Sequence, residues 1–184
     1  MKVINSKRDR CRLCEDKNLE MVVPLVPTPV AEKYLSKDQL KQKEIVCPLD
    51  LYMCKACGHV QLLDIIDPKF LYSDYTYSSG NSKGLVNHFR EYADDIVKKY
   101  NPKKGSLVVD VGSNDGTLLD FFKKHGLNVL GVDPAKEIAE KATLKGIKTL
   151  PEFMNINLSE HIKNNYGLAT IVTANNAFAH GDDL

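Results

Sequence analysis

Two C-x-x-C pairs constrain this chain before anything else: Cys11 and Cys14 in CRLC, and Cys54 and Cys57 in CKACGHV. Each pair sets two thiolates on a tight knuckle where both sulfurs can reach one tetrahedral ion, and two knuckles complete a four-sulfur set. The pairs lie further apart than in a compact zinc ribbon, so the fold of the intervening chain has to bring them together. The expectation is a small N-terminal zinc-binding module. A closed four-sulfur site leaves no position for substrate, which makes the expected zinc structural. A thioredoxin-like redox motif is the competing reading of one pair. Such a motif opens a helix after a strand, whereas Pro48 and Gly58 around the second pair suit a knuckle. Cys47, alone in EIVCPLDL, reads as a small buried hydrophobe, and His59 as an exposed or core histidine rather than a replacement ligand.

Composition narrows the function. With 184 residues, 43% of them hydrophobic and 27% charged, the chain has the balance of a globular protein of one medium or two small domains. A net charge of +1 gives no basic footprint for phosphate contacts, so nucleic acid is not an expected partner. No apolar run approaches the roughly 18 residues of a membrane span, and MKVINSKRDR lacks the apolar stretch of a signal peptide. No membrane association and a cytoplasmic location are expected, where five cysteines speak for metal rather than disulfides.

Three pieces follow along the chain: a module over 1–70, a connecting segment and helix over 71–104, and an α/β domain over 105–184. In VVPLVPTPV, Pro24, Pro27 and Pro29 exclude a central strand or helix. Apolar residues from Leu85 to Tyr100 recur on one helical face, predicting a helix over 81–100 that Asn101-Pro102 stops. After Gly105, strands are predicted over 107–111, 129–133, 147–150 and 169–173. Helices are predicted over 117–125, 134–145 and 159–166, the last from a capping-box-like NLSE. Strands separated by such helices imply right-handed crossovers and a parallel sheet.

LVVDVGSNDGTLLDFF is a buried strand, a tight loop with Gly112 and Gly116, and a helix. The glycines let backbone approach a ligand, and Asp110 at the strand end offers a carboxylate. About twenty residues on, Asp133 ends the second strand, where a carboxylate can take both ribose hydroxyls of an adenosine. A dinucleotide loop would carry glycine where Asn114 stands, and a pyrophosphate would meet Asp115. S-adenosylmethionine, with a sulfonium, an ammonium and no phosphate, suits Asp110 and Asp115 better.

Together these pieces resemble the zinc-containing sugar C-methyltransferases that act on nucleotide-linked keto-deoxysugars. The resemblance is carried in order by CRLC, PLDLYMCKACGHVQL, LYSDYTYSSGNS, His88, DVGSNDGTLLDFF, GVDPA and ANNAFAH, and covers essentially the whole chain. It implies a zinc domain, an S-adenosylmethionine-binding Rossmann-like domain and a third, C-terminal domain. The chain departs from it by ending after the fourth strand, so the Rossmann-like domain is expected to be incomplete, and by Ala177 and Gly181 where bulkier apolar residues are usual. Self-association or a missing C-terminal domain is the expected consequence.

Methylation at carbon requires deprotonation beside a ketone to an enolate, hence a base, an enolate stabiliser and a methyl donor. His180 follows the fourth strand at the carboxyl edge where a parallel sheet presents its crevice. By resemblance, His180 with Tyr75 or Tyr77 faces the sugar, with base and orienter unassigned between them. Asn175 and Asn176 line the donor or position the substrate. Ser78 and Ser79 in SSGNS, with His88, are candidates for contacting the nucleotide sugar, and SSGNS also suits a plain linker. His125 and His161 read as surface residues. Two other functions fit the same residues: a non-catalytic zinc module that binds a ligand or partner, and a methyltransferase with a different acceptor.

Overall fold

The computed structural model describes residues 4–31, 33–73 and 75–182. The chain divides into two compact units, one running to Leu71 and taking in Gly181 and Asp182, the other Tyr72–His180.

The first unit is made of short antiparallel strands: β1 (Ile4–Lys7), β2 (Leu19–Val23), β3 (Thr28–Pro29), β4 (Val46–Cys47), β5 (Leu51–Cys54), β6 (Val60–Leu62) and β7 (Asp64–Ile66). A three-stranded sheet has the order β2-β5-β6, and β1–β7 and β3–β4 form two-stranded pairs. The proline-rich stretch behaves as its chemistry dictates. β2 is an edge strand, and the chain leaves it at Pro24, which has no N–H to offer a ladder. Apolar burial is slight. Cys11, Cys47, Cys54 and Leu63 are the buried hydrophobic residues described here, while Val26, Tyr34 and Leu40 are at least two-thirds exposed.

A short helix α1 (Pro68–Tyr72) spans the division between the units, and the second unit continues with α2 (Lys83–Tyr100), β8 (Leu107–Val111), α3 (Thr117–Lys124), β9 (Asn128–Val132), α4 (Lys136–Leu144), β10 (Thr149–Leu150), α5 (Ile156–Tyr166) and β11 (Ala169–Thr173). Ser82 caps α2 by accepting from the Leu85 N–H, and Asn101, at φ 43°, ends it in the left-handed region. Gly126 and Gly146, both at positive φ, follow α3 and α4 as predicted. β10 is two residues shorter than the predicted strand, and α4 starts two residues after Pro134. The capping box at NLSE is not formed. Asn155 caps α5 instead, its side chain accepting from the Leu158 N–H, so the helix begins three residues early.

β8 pairs in parallel with β9 and β11, and β9 with β10, giving the order β10-β9-β8-β11. The chain therefore steps outward from β8 to β10 and returns to its other side with β11. In open parallel sheets such a reversal marks the place for a ligand crevice, here the carboxyl ends of β8 and β11. Alternation along β8 divides the core. Val108 packs with Ala93, Leu118, Leu119 and Phe122 on the α2/α3 face, while Leu107 and Val109 pack with Leu130, Val132, Leu158 and Ile162 on the α5 face. The two units are thus a small four-cysteine module and a four-stranded parallel Rossmann-like sheet, the fold class expected from the sequence.

Candidate functional site

The four module cysteines converge. Sγ atoms of Cys11, Cys14, Cys54 and Cys57 all lie within 4.8 Å of one another, with Cys11–Cys57 at 3.7 Å and Cys14–Cys54 at 3.6 Å. Tetrahedral sulfurs bonded at about 2.3 Å stand about 3.8 Å apart, so the set fits zinc. The two knuckles share one backbone design. The N–H of Glu15 donates to the Cys11 carbonyl and that of Gly58 to the Cys54 carbonyl, and both residues lie at positive φ, 58° and 78°. Burial pushes the Cys11 thiol up, but hydrogen bonds from the backbone at Cys14 and Leu13 and from the Gln61 side chain outweigh it and lower its pKa to about 6. His59 is not in the cluster, and Cys47 is buried and separate from it, its thiol pushed up by burial.

In the second unit the glycine loop is folded tightly onto the second strand. Gly112 lies at φ 73°, and its N–H and that of Ser113 donate to the Val132 carbonyl. A Cβ on Gly112 would stand 2.6 Å from the Ala177 Cβ, so the loop after β8 and the turn after β11 touch as only glycine allows. Asp133 receives N–H bonds from Asn114 at 2.8 Å and Ala135 at 2.9 Å. Burial raises its pKa, and those two donors partly offset the rise.

Asp110 is buried at the end of β8, 3% exposed. Its Oδ1 accepts from the Thr173 hydroxyl at 2.6 Å, and these two residues are register partners across β8 and β11. Burial raises the Asp110 pKa to about 7, opposed by Thr173 and reinforced by the charge of Asp133.

Asn114 and Asp115 bond to the segment before α2. The Asn114 carboxamide accepts from the Ser79 N–H and donates to the Tyr77 carbonyl, both at 2.9 Å. The Asp115 carboxylate accepts from the Ser78 hydroxyl, the Gly80 N–H, and the Thr117 N–H and hydroxyl. Burial pushes Asp115 up, yet these donors prevail and hold it below the usual carboxylate range. Ser78 and Ser79 thus spend these polar groups within the protein.

Aromatic rings run from this segment to the chain's last histidine. Tyr75 is 6.5 Å from Tyr77 and 6.2 Å from Tyr72, and Tyr72 is 6.2 Å from His180, centroid to centroid. His180 is exposed on a short 3-10 turn, Phe178–His180. Asn176 is exposed at φ 51°, whereas Asn175 carries a buried amide nitrogen without a hydrogen-bond partner. An orphaned donor two residues past the end of β11 is a place for a ligand acceptor. His88 lies on the exposed side of α2 against Phe89 and Tyr92, and no hydrogen bond to the glycine loop is among its described contacts. Thr173, Thr117, Tyr72 and Gln61 were not singled out in the sequence. Only strand register and cross-chain contact mark them.

A family model described as "Putative zinc binding domain" matches residues 11–72, and one described as "Methionine biosynthesis protein MetW" matches residues 92–180. C-methyltransferase NovU of Streptomyces niveus is 33% identical over 96% of this chain and 42% of its own length. Ubiquinone biosynthesis O-methyltransferase of Vibrio parahaemolyticus is 29% identical over 53% of this chain and 40% of its own. Among solved structures, magnesium protoporphyrin IX methyltransferase from Synechocystis PCC 6803 with bound SAM aligns over 46% of each chain, at 20% identity and a TM-score of 0.33. This chain therefore spans about two-fifths of the length of the curated relatives it matches. Along that span the chain is similar to a C-methyltransferase, with its four converging cysteines inside the zinc-domain match and its four-stranded parallel sheet inside the second match.

Proposed function

We propose that this chain binds S-adenosylmethionine at the carboxyl edge of its parallel sheet, holds a structural zinc in its cysteine module, and serves C-methylation of a nucleotide-linked keto-deoxysugar. The observation that carries the reading is the pair of buried carboxylates, Asp110 and Asp133, ending adjacent strands beside a left-handed glycine loop. Two carboxylates with raised pKa values favour a ligand that brings positive charge and hydroxyl donors, and disfavour a pyrophosphate. In this reading Asp133 takes the ribose hydroxyls, and the orphaned Asn175 amide donates to a ligand acceptor. Bound S-adenosylmethionine supplies the activated methyl group.

For the acceptor, the residues offered are His180 and the tyrosines before α2. An exposed imidazole is suited to removing a proton from carbon beside a ketone near neutral pH. A phenol of Tyr75 or Tyr77 is suited to donating a hydrogen bond to the enolate oxygen. The C-methyltransferase relative supports carbon as the methylated atom. The keto-deoxysugar assignment rests on the resemblance of the sequence motifs.

Calorimetric titration of the protein with S-adenosylmethionine and S-adenosylhomocysteine tests the cofactor. Binding is expected for both, and Asp133→Ala is expected to weaken it by about 10- to 100-fold, since hydrogen bonds to a charged group contribute about 1.5–3 kcal/mol. Absence of heat from folded protein would remove the cofactor reading. Binding without methyl transfer to a keto-sugar nucleotide would favour a ligand-binding role without turnover.

A further inference from the structure

We infer that Asn114 and Asp115 are positioning residues that fasten the tyrosine segment to the cofactor loop, so that filling the loop orders Tyr75 and Tyr77 for the acceptor. The inference rests on the cofactor reading above. It is carried by a cluster of bonds between residues 35 to 37 positions apart: Ser79 N–H to Asn114 Oδ1, Asn114 Nδ2 to the Tyr77 carbonyl, and the Gly80 N–H and Ser78 hydroxyl to one Asp115 oxygen. Asn114, Asp115 and Ser79 are each at most 9% exposed, so these bonds form away from water, where leaving a partner unpaired is costly.

The clasp is linked in turn to the crevice. Asp133 Oδ2 receives the Asn114 N–H, and Asn114 sits at φ 50°, a left-handed conformation that asparagine tolerates better than most residues. A ligand engaging the Asp133 carboxylate therefore touches the group that holds Asn114, and Asn114 holds both Tyr77 and Ser79. Asp115 is anchored on its other side by the N–H and hydroxyl of Thr117 at the start of α3. One loop thus presents backbone to the crevice and side chains to the tyrosine segment. The direction of effect is reciprocal: ordering the segment must favour cofactor binding as much as the cofactor favours order.

Gly80→Ala is the decisive variant, because it leaves the loop's own residues untouched. A Cβ there would stand 2.8 Å from the Asp115 carboxylate and 3.3 Å from the Thr117 hydroxyl, prising the clasp apart. Hydrogen exchange is followed on a peptide spanning 75–82, with and without S-adenosylhomocysteine, beside calorimetric titration. In the natural sequence, the Ser79 and Gly80 amides are expected to be protected, and protected several-fold further by S-adenosylhomocysteine. In Gly80→Ala, exchange is expected to rise at least tenfold and S-adenosylhomocysteine to bind about tenfold more weakly. Ser78→Ala, which only deletes a hydroxyl, should move both readouts in the same direction by less, and it replaces Gly80→Ala if that variant does not fold. Unprotected amides in the natural sequence would overturn the clasp. Lost protection with unchanged affinity would overturn the coupling alone. No binding by folded natural protein would overturn the cofactor reading and the coupling with it.

Discussion

Removing the proposed zinc, or replacing Cys54 by serine, is expected to unfold the N-terminal module. The module has little else to hold it. Among its described residues, the buried hydrophobic ones are Cys11 and Cys54 of the four-cysteine cluster, Cys47 and Leu63. A segment of that size without an apolar core needs a metal or a cross-link, and structural zinc in comparable small domains supplies on the order of 10 kcal/mol of folding free energy. Chelation should therefore abolish the amide dispersion of residues 4–71 in a two-dimensional NMR spectrum. The amides of β8 to β11, whose core is made by α2, α3 and α5, should persist. One equivalent of zinc should restore the lost signals. A chelated protein whose module spectrum does not change would refute a structural zinc. The knuckles make the dependence sharper still, because Glu15 occupies a left-handed position where glycine would be the easier residue.

A second large effect is expected at Asp110. Its pKa is about 7 in the folded protein against an ordinary 3.8, so between pH 4 and 7 the folded state keeps a proton that the unfolded state has released. Stability from this group is therefore full below about pH 4 and is lost as pH rises to about 7, by a total of roughly 4 kcal/mol. Asp110→Asn removes the titration while keeping an oxygen that can accept from Thr173. The variant is expected to be more stable than the natural protein by up to about 4 kcal/mol at pH 8, with the difference shrinking toward zero near pH 4. Thermal unfolding across that pH range measures it. A variant that is less stable at pH 8 would mean that the ionised carboxylate is well satisfied in the fold. The same substitution should weaken S-adenosylmethionine binding if the charge serves the ligand, an exchange of stability for function of the kind that places a carboxylate in a dry crevice.

The organisation of the sheet was legible because it follows from local chemistry. β8 and β11 have the predicted bounds, since continuous apolar runs flanked by glycine and polar residues leave little choice. The four cysteines were legible for the same reason: two identical knuckles announce themselves by spacing. α5 was misplaced by three residues because two asparagines stand close to its start. The cap is decided by which one reaches a free N–H, and Asn155 reaches Leu158.

Other features had no local signature. Thr173 is one more β-branched residue until register sets it against Asp110. Gln61 is one more polar residue of a strand until burial places it beside Cys11. Asn114 and Asp115, in a loop expected to face a cofactor, turn their side chains to Ser78, Ser79 and Tyr77.

By itself, then, the sequence determined the four-cysteine set, the alternation of strand and helix, and the glycine loop with its two acids, because each depends on residue type at short spacing. Tertiary structure alone decided which of the loop's polar groups remain for a ligand. Burial favours donors and acceptors that find a partner, and Asn114 and Asp115 find theirs more than thirty residues away.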